Sequence, residues 1–422
     1  MGSIFEQVFD CKFMMNPSVF YFNPTCELAV ANGSFSYIPP LLLQEMESDL
    51  STLPFIFGNS SDYVLTDHRP APEFILKLED SGFVLPHFIS FSELDTLPDH
   101  AIQSIQPWGW SPPVHFKFKN IKEKCGDEFK QSPIFDWKNE HRLMFERKTS
   151  LEFLKNITDK VSPDWFIRNS MRGEIVYSCR EIEDKLMQLG KIVLKSPMSS
   201  SGRGVQIIRQ QKLNESNKQW ISGILKQQKY LVAEPFLEKI LDFSFQFQVI
   251  SQSDIKFLGH SIFETNSNGQ YRGTIIRPDL QHILPELNSN KIKEMIELSA
   301  QLILGELRDS VYSTFYQGFL GVDSMLFKDD DTIRLQPCIE INCRMNMGIL
   351  TQMLEKYIHP EAMGKFELFY GKQGGFCDFS KQQSINKPIE LKDGKLYRGF
   401  LPLVEPTPAK KFGAYIDLGF AR

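Results

Sequence analysis

The segment Gly321–Gly348, GVDSMLFKDDDTIRLQPCIEINCRMNMG, constrains this chain more than any other. Two apolar runs flank an acidic turn at Asp329–Asp331, and each run carries a carboxylate: Asp323 on the first, Glu340 on the second. Strand side chains alternate between faces. Glu340, Asn342 and Arg344 therefore share one face, while Ile339, Ile341 and Cys343 point the other way, into a core. If the runs pair through Asp329–Thr332, Asp323 meets Glu340 and Asn342. Two carboxylates and an amide oxygen make a hard oxygen site of the kind Mg²⁺ takes between a protein and nucleotide phosphates. Arg344 beside it suits an anionic substrate group. Read alone, the same residues also describe a solvated acidic turn on an ordinary strand pair, so other segments must decide.

Upstream, KIVLKSPMSSSGRGVQIIR (Lys191–Arg209) is an apolar strand ending in Lys195, a loop of small residues, and a second strand. Ser199, Ser200, Ser201, Gly202 and Gly204 turn tightly enough to bring backbone N–H groups onto phosphate oxygens, and Arg203 adds charge at the tip. Lys195 at the strand end reaches a phosphate as a point charge. A plain hairpin with a Ser/Gly turn is the blander reading. In YLVAEPFLEKILDFSFQFQV (Tyr230–Val249), a short strand ends at Glu234, and Pro235–Phe236–Leu237 is extended. Free backbone there can pair with an adenine edge. Asp242 opens an alternating segment that reads as a half-buried strand. In FERKTSLEFLKNI (Phe145–Ile157), Thr149 or Ser150 can cap a helix with Leu151, Leu154 and Ile157 on one face, preceded by Lys148.

Taken in order, Lys148, Lys195 with its loop, Glu234–Leu237, Asp242, Asp323 and Glu340-x-Asn342-x-Arg344 resemble the ATP-grasp superfamily, which includes D-alanine–D-alanine ligase and biotin carboxylase. The resemblance covers roughly residues 140–365. It implies an α/β (α+β) chain: an ATP-grasp fold of two α+β subdomains gripping ATP, preceded by a small α/β N-terminal domain. By position, Lys148 and Lys195 match the phosphate-binding lysines, with Arg147 able to replace Lys148. Ser199, Ser200, Ser201, Gly202, Arg203 and Gly204 match the loop that closes over the triphosphate. Glu234, Phe236 and Leu237 match the adenine contacts, and Asp242 the ribose acid. Asp323, Glu340 and Asn342 match the ligands of Mg²⁺, with Mn²⁺ as an alternative. Arg344 and Lys195, with Arg272, match the basic residues of catalysis. Two departures stand out. The Asp323–Glu340 gap is long, because the hairpin carries the extra Asp329–Asp331 turn, and Arg147 can stand in for Lys148.

Composition agrees. A chain of 422 residues with 42% hydrophobic content suits two or three domains. We expect an N-terminal unit over residues 1–130, the ATP-grasp unit over 131–370 and a strand-rich extension over 371–422. Net charge is −5 with no long basic run, which argues against nucleic acid or an anionic membrane as partner. The seven cysteines (Cys11, Cys26, Cys125, Cys179, Cys338, Cys343, Cys377) include no C-x-x-C, which suggests reduced thiols in a cytoplasm. No segment approaches the ~18 apolar residues of a membrane span. Glu6 and Asp10 precede the first lysine, Lys12, against the pattern of a secretion signal.

In the first 130 residues, Ser18–Phe22, Tyr63–Leu65 and Phe83–Leu85 read as strands. No G-x-G-x-x-G follows them, so a dinucleotide is not indicated. QPWGWSPP (Gln106–Pro113) is too rigid for a linker and reads as packing at a domain junction. Cys338 shares the parity of Glu340. Arg272 and Arg277 are candidate clamps for anions, and His260 reads as structural. The expected activity is Mg-dependent ligation: a carboxylate becomes an acyl phosphate, and an amine from an amino acid or peptide-like molecule attacks it. A homodimer is compatible with this. The competing readings are a kinase of the same fold and a non-catalytic ATP-binding regulator.

Overall fold

The computed structural model describes residues 17–199, 204–266 and 271–419. Strands β1 (Ser18–Tyr21), β2 (Tyr63–Leu65), β3 (His87–Ile89) and β4 (Ser104–Pro107) form a parallel sheet in the order β3-β2-β1-β4. The third strand is thus His87–Ile89 rather than Phe83–Leu85. Phe83 is instead buried in the preceding loop, edge-on to Phe55 with ring centroids 5.4 Å apart. Apolar character there marks packing, not extension.

A second sheet holds β5 (Glu174–Val176), β6 (Ile192–Lys195), β7 (Val205–Ile208) and β8 (Leu231–Pro235) in the antiparallel order β5-β8-β6-β7. Helices Cys179–Leu189 and Glu215–Gln228 back it. Ile182, Leu186, Ile192, Leu194, Ile221 and Leu231 form part of its own small core.

The third sheet carries nine antiparallel strands: β9 (Glu238–Val249), β10 (Ile255–Thr265), β11 (Tyr271–Ile276), β12 (Gly318–Asp329), β13 (Thr332–Asn342), β14 (Gly364–Tyr370), β15 (Glu390–Lys392), β16 (Lys395–Pro402) and β17 (Phe412–Leu418). Their order is β13-β12-β9-β10-β11-β14-β17-β16-β15. The last three strands therefore lengthen this sheet beyond β14.

Strand β9 sits between β12 and β10. Its alternation predicts one buried and one wet face, but both are covered. Phe243, Phe245 and Phe247 enter the main core, while Ser244 and Gln246 are also buried. Gln246 can be buried because its amide is satisfied. Its Nε2 donates to Ser261 Oγ at 2.9 Å and its Oε1 accepts from Asn346 Nδ2 at 2.9 Å. Helix Met347–Leu354 packs against β10 and β11 on this side.

Helix Arg147–Lys160 starts before Thr149 and Ser150, so neither caps it. The Arg147 amide donates instead to the Pro197 carbonyl at 2.9 Å, which satisfies an end group that a side-chain cap would otherwise serve.

The fully buried Phe245 tests the core. Phe245→Ala removes a ring edge-on to Phe243 at 5.2 Å. Urea unfolding should show a loss of about 3–5 kcal/mol.

Candidate active site

The hairpin β12–β13 brings the acids together by register. Asp323 lies opposite Glu340, and Gly321 opposite Asn342. Asn342 Nδ2 donates to Asp323 Oδ2 at 3.0 Å. Between Asp323 and Met325 the register shifts, because β13 carries extra residues around Pro337, which has no N–H for the ladder. Ser324 Oγ donates to the Pro337 carbonyl at 2.8 Å and closes the bulge. The bulge also breaks the parity argument for Cys338. That thiol is buried in the core with Ile341 and Cys343 and donates to the Ser150 carbonyl at 3.7 Å.

Arg147 is the basic side chain that joins this hairpin to the second sheet. It is buried, and its guanidinium lies 3.1 Å from Glu340 Oε2. Its Nε donates to the Ser196 carbonyl and its NH2 group to Ser199 Oγ, both at 3.1 Å. Lys148 points elsewhere: it is half exposed and lies 4.0 Å from Glu152, one helical turn on. The helix start turns one residue inward and the next outward, and the inward one is Arg147.

Lys195 ends β6 and is buried, with Nζ 2.6 Å from Glu234 Oε2 on β8. Burial holds the Cys338 thiol well above its ordinary value, and it also feels Asp323, Lys195, Glu340 and Glu234. The loop after Lys195 folds back on itself: the Ser196 amide donates to the Gly204 carbonyl at 2.8 Å. A Cβ at Gly204 would collide with Ser196 Oγ and Ser199 Cβ, so only glycine fits. Ser200, Ser201, Gly202 and Arg203 lie outside the described residues.

Arg344 connects the hairpin to the first sheet. Its NH2 group donates to Asn342 Oδ1 at 3.0 Å, and its Nε to Glu27 Oε1 at 2.8 Å. Burial alone would lower the Arg344 pKa, but the Glu27 carboxylate reverses this and keeps the guanidinium firmly charged. The Met345 amide donates to the Trp108 carbonyl at 2.8 Å, and Trp108 itself is buried edge-on to Phe22. A Cβ at Gly109 would collide with Cys26 Sγ and lie 3.1 Å from Arg344 Cβ. The Trp-rich segment thus packs at the junction, and its glycine lets Arg344 in. Glu27 has no signal in the sequence, because nothing in CELAVAN distinguishes it from a surface helix acid.

The remaining expected contacts are placed less closely. Phe236 is partly exposed; its amide donates to the Lys191 carbonyl at 3.2 Å and Arg209 lies 5.4 Å from its ring centre. Its N–H is thus already engaged by the residue that precedes β6. Leu237 packs against the main core. Asp242 pairs with Lys239 and accepts from Thr265 Oγ1 at 3.1 Å. Arg272 is exposed on β11, three strands from β12, where its charge acts on Tyr415 of β17. The structure does not bring it to Asp323. Arg277 donates to the carbonyls of Glu355 and Ile358, both at 2.9 Å, and so closes a chain turn instead of facing a ligand. Burial lowers the His260 pKa, as expected of a structural imidazole.

Burial, and then the facing Glu340, raise the Asp323 carboxyl from 3.8 to about 6, against the charge of Arg344 and the hydrogen bond from Asn342. Among the described residues no group of three or more His, Cys, Asp or Glu side chains could hold a metal. The candidate site is two carboxylates and one amide.

No family model matches the chain. A curated relative, the [Butirosin acyl-carrier protein]–L-glutamate ligase of Niallia circulans, is 29% identical over 189 residues. The match spans 42% of this chain and 40% of that protein's length. N5-carboxyaminoimidazole synthetase from Staphylococcus aureus, solved with ADP, superposes with a TM-score of 0.47 at 14% identity, over 97% of this chain and 95% of that one. Biotin carboxylase from Campylobacter jejuni, solved as a β-γ-ATP complex, superposes with a TM-score of 0.52 at 10% identity, over 96% of this chain and 87% of that one. The chain has the ATP-grasp fold.

The residues fit the ligands that the ATP-grasp fold implies. Asp323 and Glu340 repel each other across the ladder, and a divalent cation would relieve that repulsion. Arg147 and Lys195, each now paired to an acid, would serve phosphate oxygens.

Because the folded pKa of Asp323 is raised, the metal-free protein holds this proton longer than the unfolded chain does. The stability it contributes is lost as pH rises from 3.8 to about 6. Asp323→Asn should therefore raise the metal-free melting midpoint above pH 6 and abolish any response to Mg²⁺. In the unmodified protein, a Mg²⁺ ion held by this carboxylate would have to displace the proton. Its affinity should fall about tenfold per pH unit below 6, measured by titration calorimetry in the presence of nucleotide.

Glu27→Gln leaves the charge of Arg344 uncompensated. It should cost about 2–4 kcal/mol in urea unfolding. The double variant Glu27→Gln/Arg344→Met should recover most of that loss.

Proposed function

We propose that this chain is an ATP-dependent, Mg-dependent ligase that activates a carboxylate and joins it to an amine. One observation carries the reading. Asp323 and Glu340 face each other across the hairpin, the Asn342 amide bonds both Asp323 and Arg344, and Arg147 pairs with Glu340, while Lys195 pairs with Glu234 on the second sheet. A nucleotide-binding module has no need of two facing carboxylates beside a buried arginine. The relative from Niallia circulans, a ligase for L-glutamate and an acyl-carrier protein, supports carboxylate activation for the matched part of the chain.

When bound, MgATP supplies a γ-phosphoryl group that turns a carboxylate into a good electrophile. The protein's own contribution is position and charge. Asp323 and Glu340 would hold the metal, joined by Asn342 once its amide turned its oxygen from Arg344 toward them. Arg147 and Lys195 would leave their acidic partners for phosphate oxygens. Glu234, set beside Lys195, would place that lysine. Arg344, fixed by Glu27 and Asn342, would hold the anionic end of the substrate. The loop containing Ser199 and Gly204 would cover the phosphates and exclude water. Phe236, Leu237 and Asp242 would border the nucleoside.

Incubation with ATP, Mg²⁺ and pooled amino acids or small peptides should yield ADP and free phosphate in equal amounts, with a condensation product seen by mass. ADP without free phosphate, accompanied by a phosphorylated product, would establish a kinase instead. MgATP at about 100 times its Kd should add ~2.7 kcal/mol of stability. Glu340→Gln keeps the side-chain volume but removes the charge. Turnover should fall by about 10²–10³, with nucleotide binding less affected.

A further inference from the structure

A crevice of about 520 Å³ opens at the carboxyl ends of the first sheet. It lies where Tyr21–Cys26 leave β1, Thr66 and Asp67 leave β2, and Ser111–Lys117 follow β4. This is the switch point of a parallel sheet: the chain steps from β1 to β2 and β3 on one side, then returns to the other side of β1 with β4. Such crevices take ligands for a topological reason, because the connections diverge there. Cys26 and Ala29 of the helix Cys26–Asn32 line it, whereas Glu27 of the same helix bonds Arg344. One helix thus stands between the crevice and the candidate active site.

The lining carries opposite charges. Glu47 accepts from the Thr25 hydroxyl at 2.5 Å and the Thr25 amide at 3.2 Å, both at Oε1. Burial raises its carboxyl pKa, against the Thr25 hydrogen bonds and the charge of Lys117. Lys117 is exposed, with Nζ 3.1 Å from the Tyr21 hydroxyl and 4.3 Å from the Tyr21 ring centre. Burial raises the Tyr21 pKa, Lys117 lowers it, and Glu47 and Asp67 raise it, and all three charged residues line the crevice. Ser111 also lines the crevice. It is 1% exposed, and its hydroxyl has no hydrogen-bond partner among the described residues. A buried hydroxyl left unpaired is costly unless a ligand or water satisfies it.

We propose that this crevice binds an α-amino acid with a neutral or basic side chain, its ammonium on Glu47, its carboxylate on Lys117 and the Ser111 hydroxyl. Asp67, exposed at the rim, disfavours an acidic side chain. The site does not depend on the ligase reading, since binding here needs neither nucleotide nor metal.

Calorimetric titration of the nucleotide-free full chain with single L-amino acids tests this, with ethylamine and acetate as singly charged controls. At least one neutral or basic amino acid should bind, and glutamate, ethylamine and acetate should each bind about tenfold more weakly or worse. Glu47→Gln and Lys117→Met should each weaken binding about ten- to a hundredfold, the scale of a lost charge-assisted hydrogen bond. If Glu47→Gln unfolds the protein by disturbing Thr25, the exposed Lys117→Met carries the test. Ligand consumption with MgATP identifies a substrate, and a changed rate without consumption identifies an effector; either upholds the site. No amino acid binding above the controls, or binding unmoved by Lys117→Met, overturns it.

Discussion

Buried Arg147 is the residue on whose contacts the candidate active site depends. One guanidinium meets Glu340 on β13, the Ser196 carbonyl and the Ser199 hydroxyl, while its own amide meets the Pro197 carbonyl. A planar fork of donors can satisfy several acceptors at once, which an ammonium on a flexible stem does less well. The result ties a helix start, a small-residue loop and the acid-bearing strand β13 into one unit. Glu340 in turn faces Asp323, whose carboxyl pKa is raised first by burial and then by Glu340. The centre is held together by charges that pair imperfectly with one another, and such a site is suited to accept both a cation and an anion.

The first sheet is part of this assembly. Arg344 reaches Glu27, Met345 leans on the backbone of Trp108, and Gly109 makes room for both Cys26 and Arg344. Covering the polar side of β9 adds a second layer. Gln246, Ser261 and Asn346 satisfy one another beneath the hairpin, and a Cβ at Gly321 would lie 2.5 Å from Asn346 Nδ2. Polar networks of this kind rigidify only when every member is paired.

Much of the fold and site is legible in the sequence because it is local. Alternation in FSFQFQV and EINCR fixes which side chains share a face, and register then sets Asp323 against Glu340. The Lys195 strand, its loop and the strand before Glu234 follow from apolar runs and small residues, and the order of these pieces along the chain is enough to point to the fold. Where local pattern meets an irregularity it fails. Parity puts Cys338 with Glu340, but the bulge at Pro337 turns that thiol into the core.

Residue order alone sets which side-chain types can form the site and in what succession, since spacing and hydrophobic period are properties of short segments. Long-range packing made the remaining choices. It turned Arg147 rather than Lys148 toward Glu340, set Glu27 on Arg344, left Arg272 away from Asp323 and engaged the Phe236 amide on the Lys191 carbonyl. Each of those outcomes rests on contacts between residues far apart in sequence. The Glu27–Arg344 pair spans 317 positions, and no local pattern carries information at that range. The same holds for the crevice beside β1, whose opposite charges, Glu47 and Lys117, come from separate helices that tertiary packing brings to one crevice.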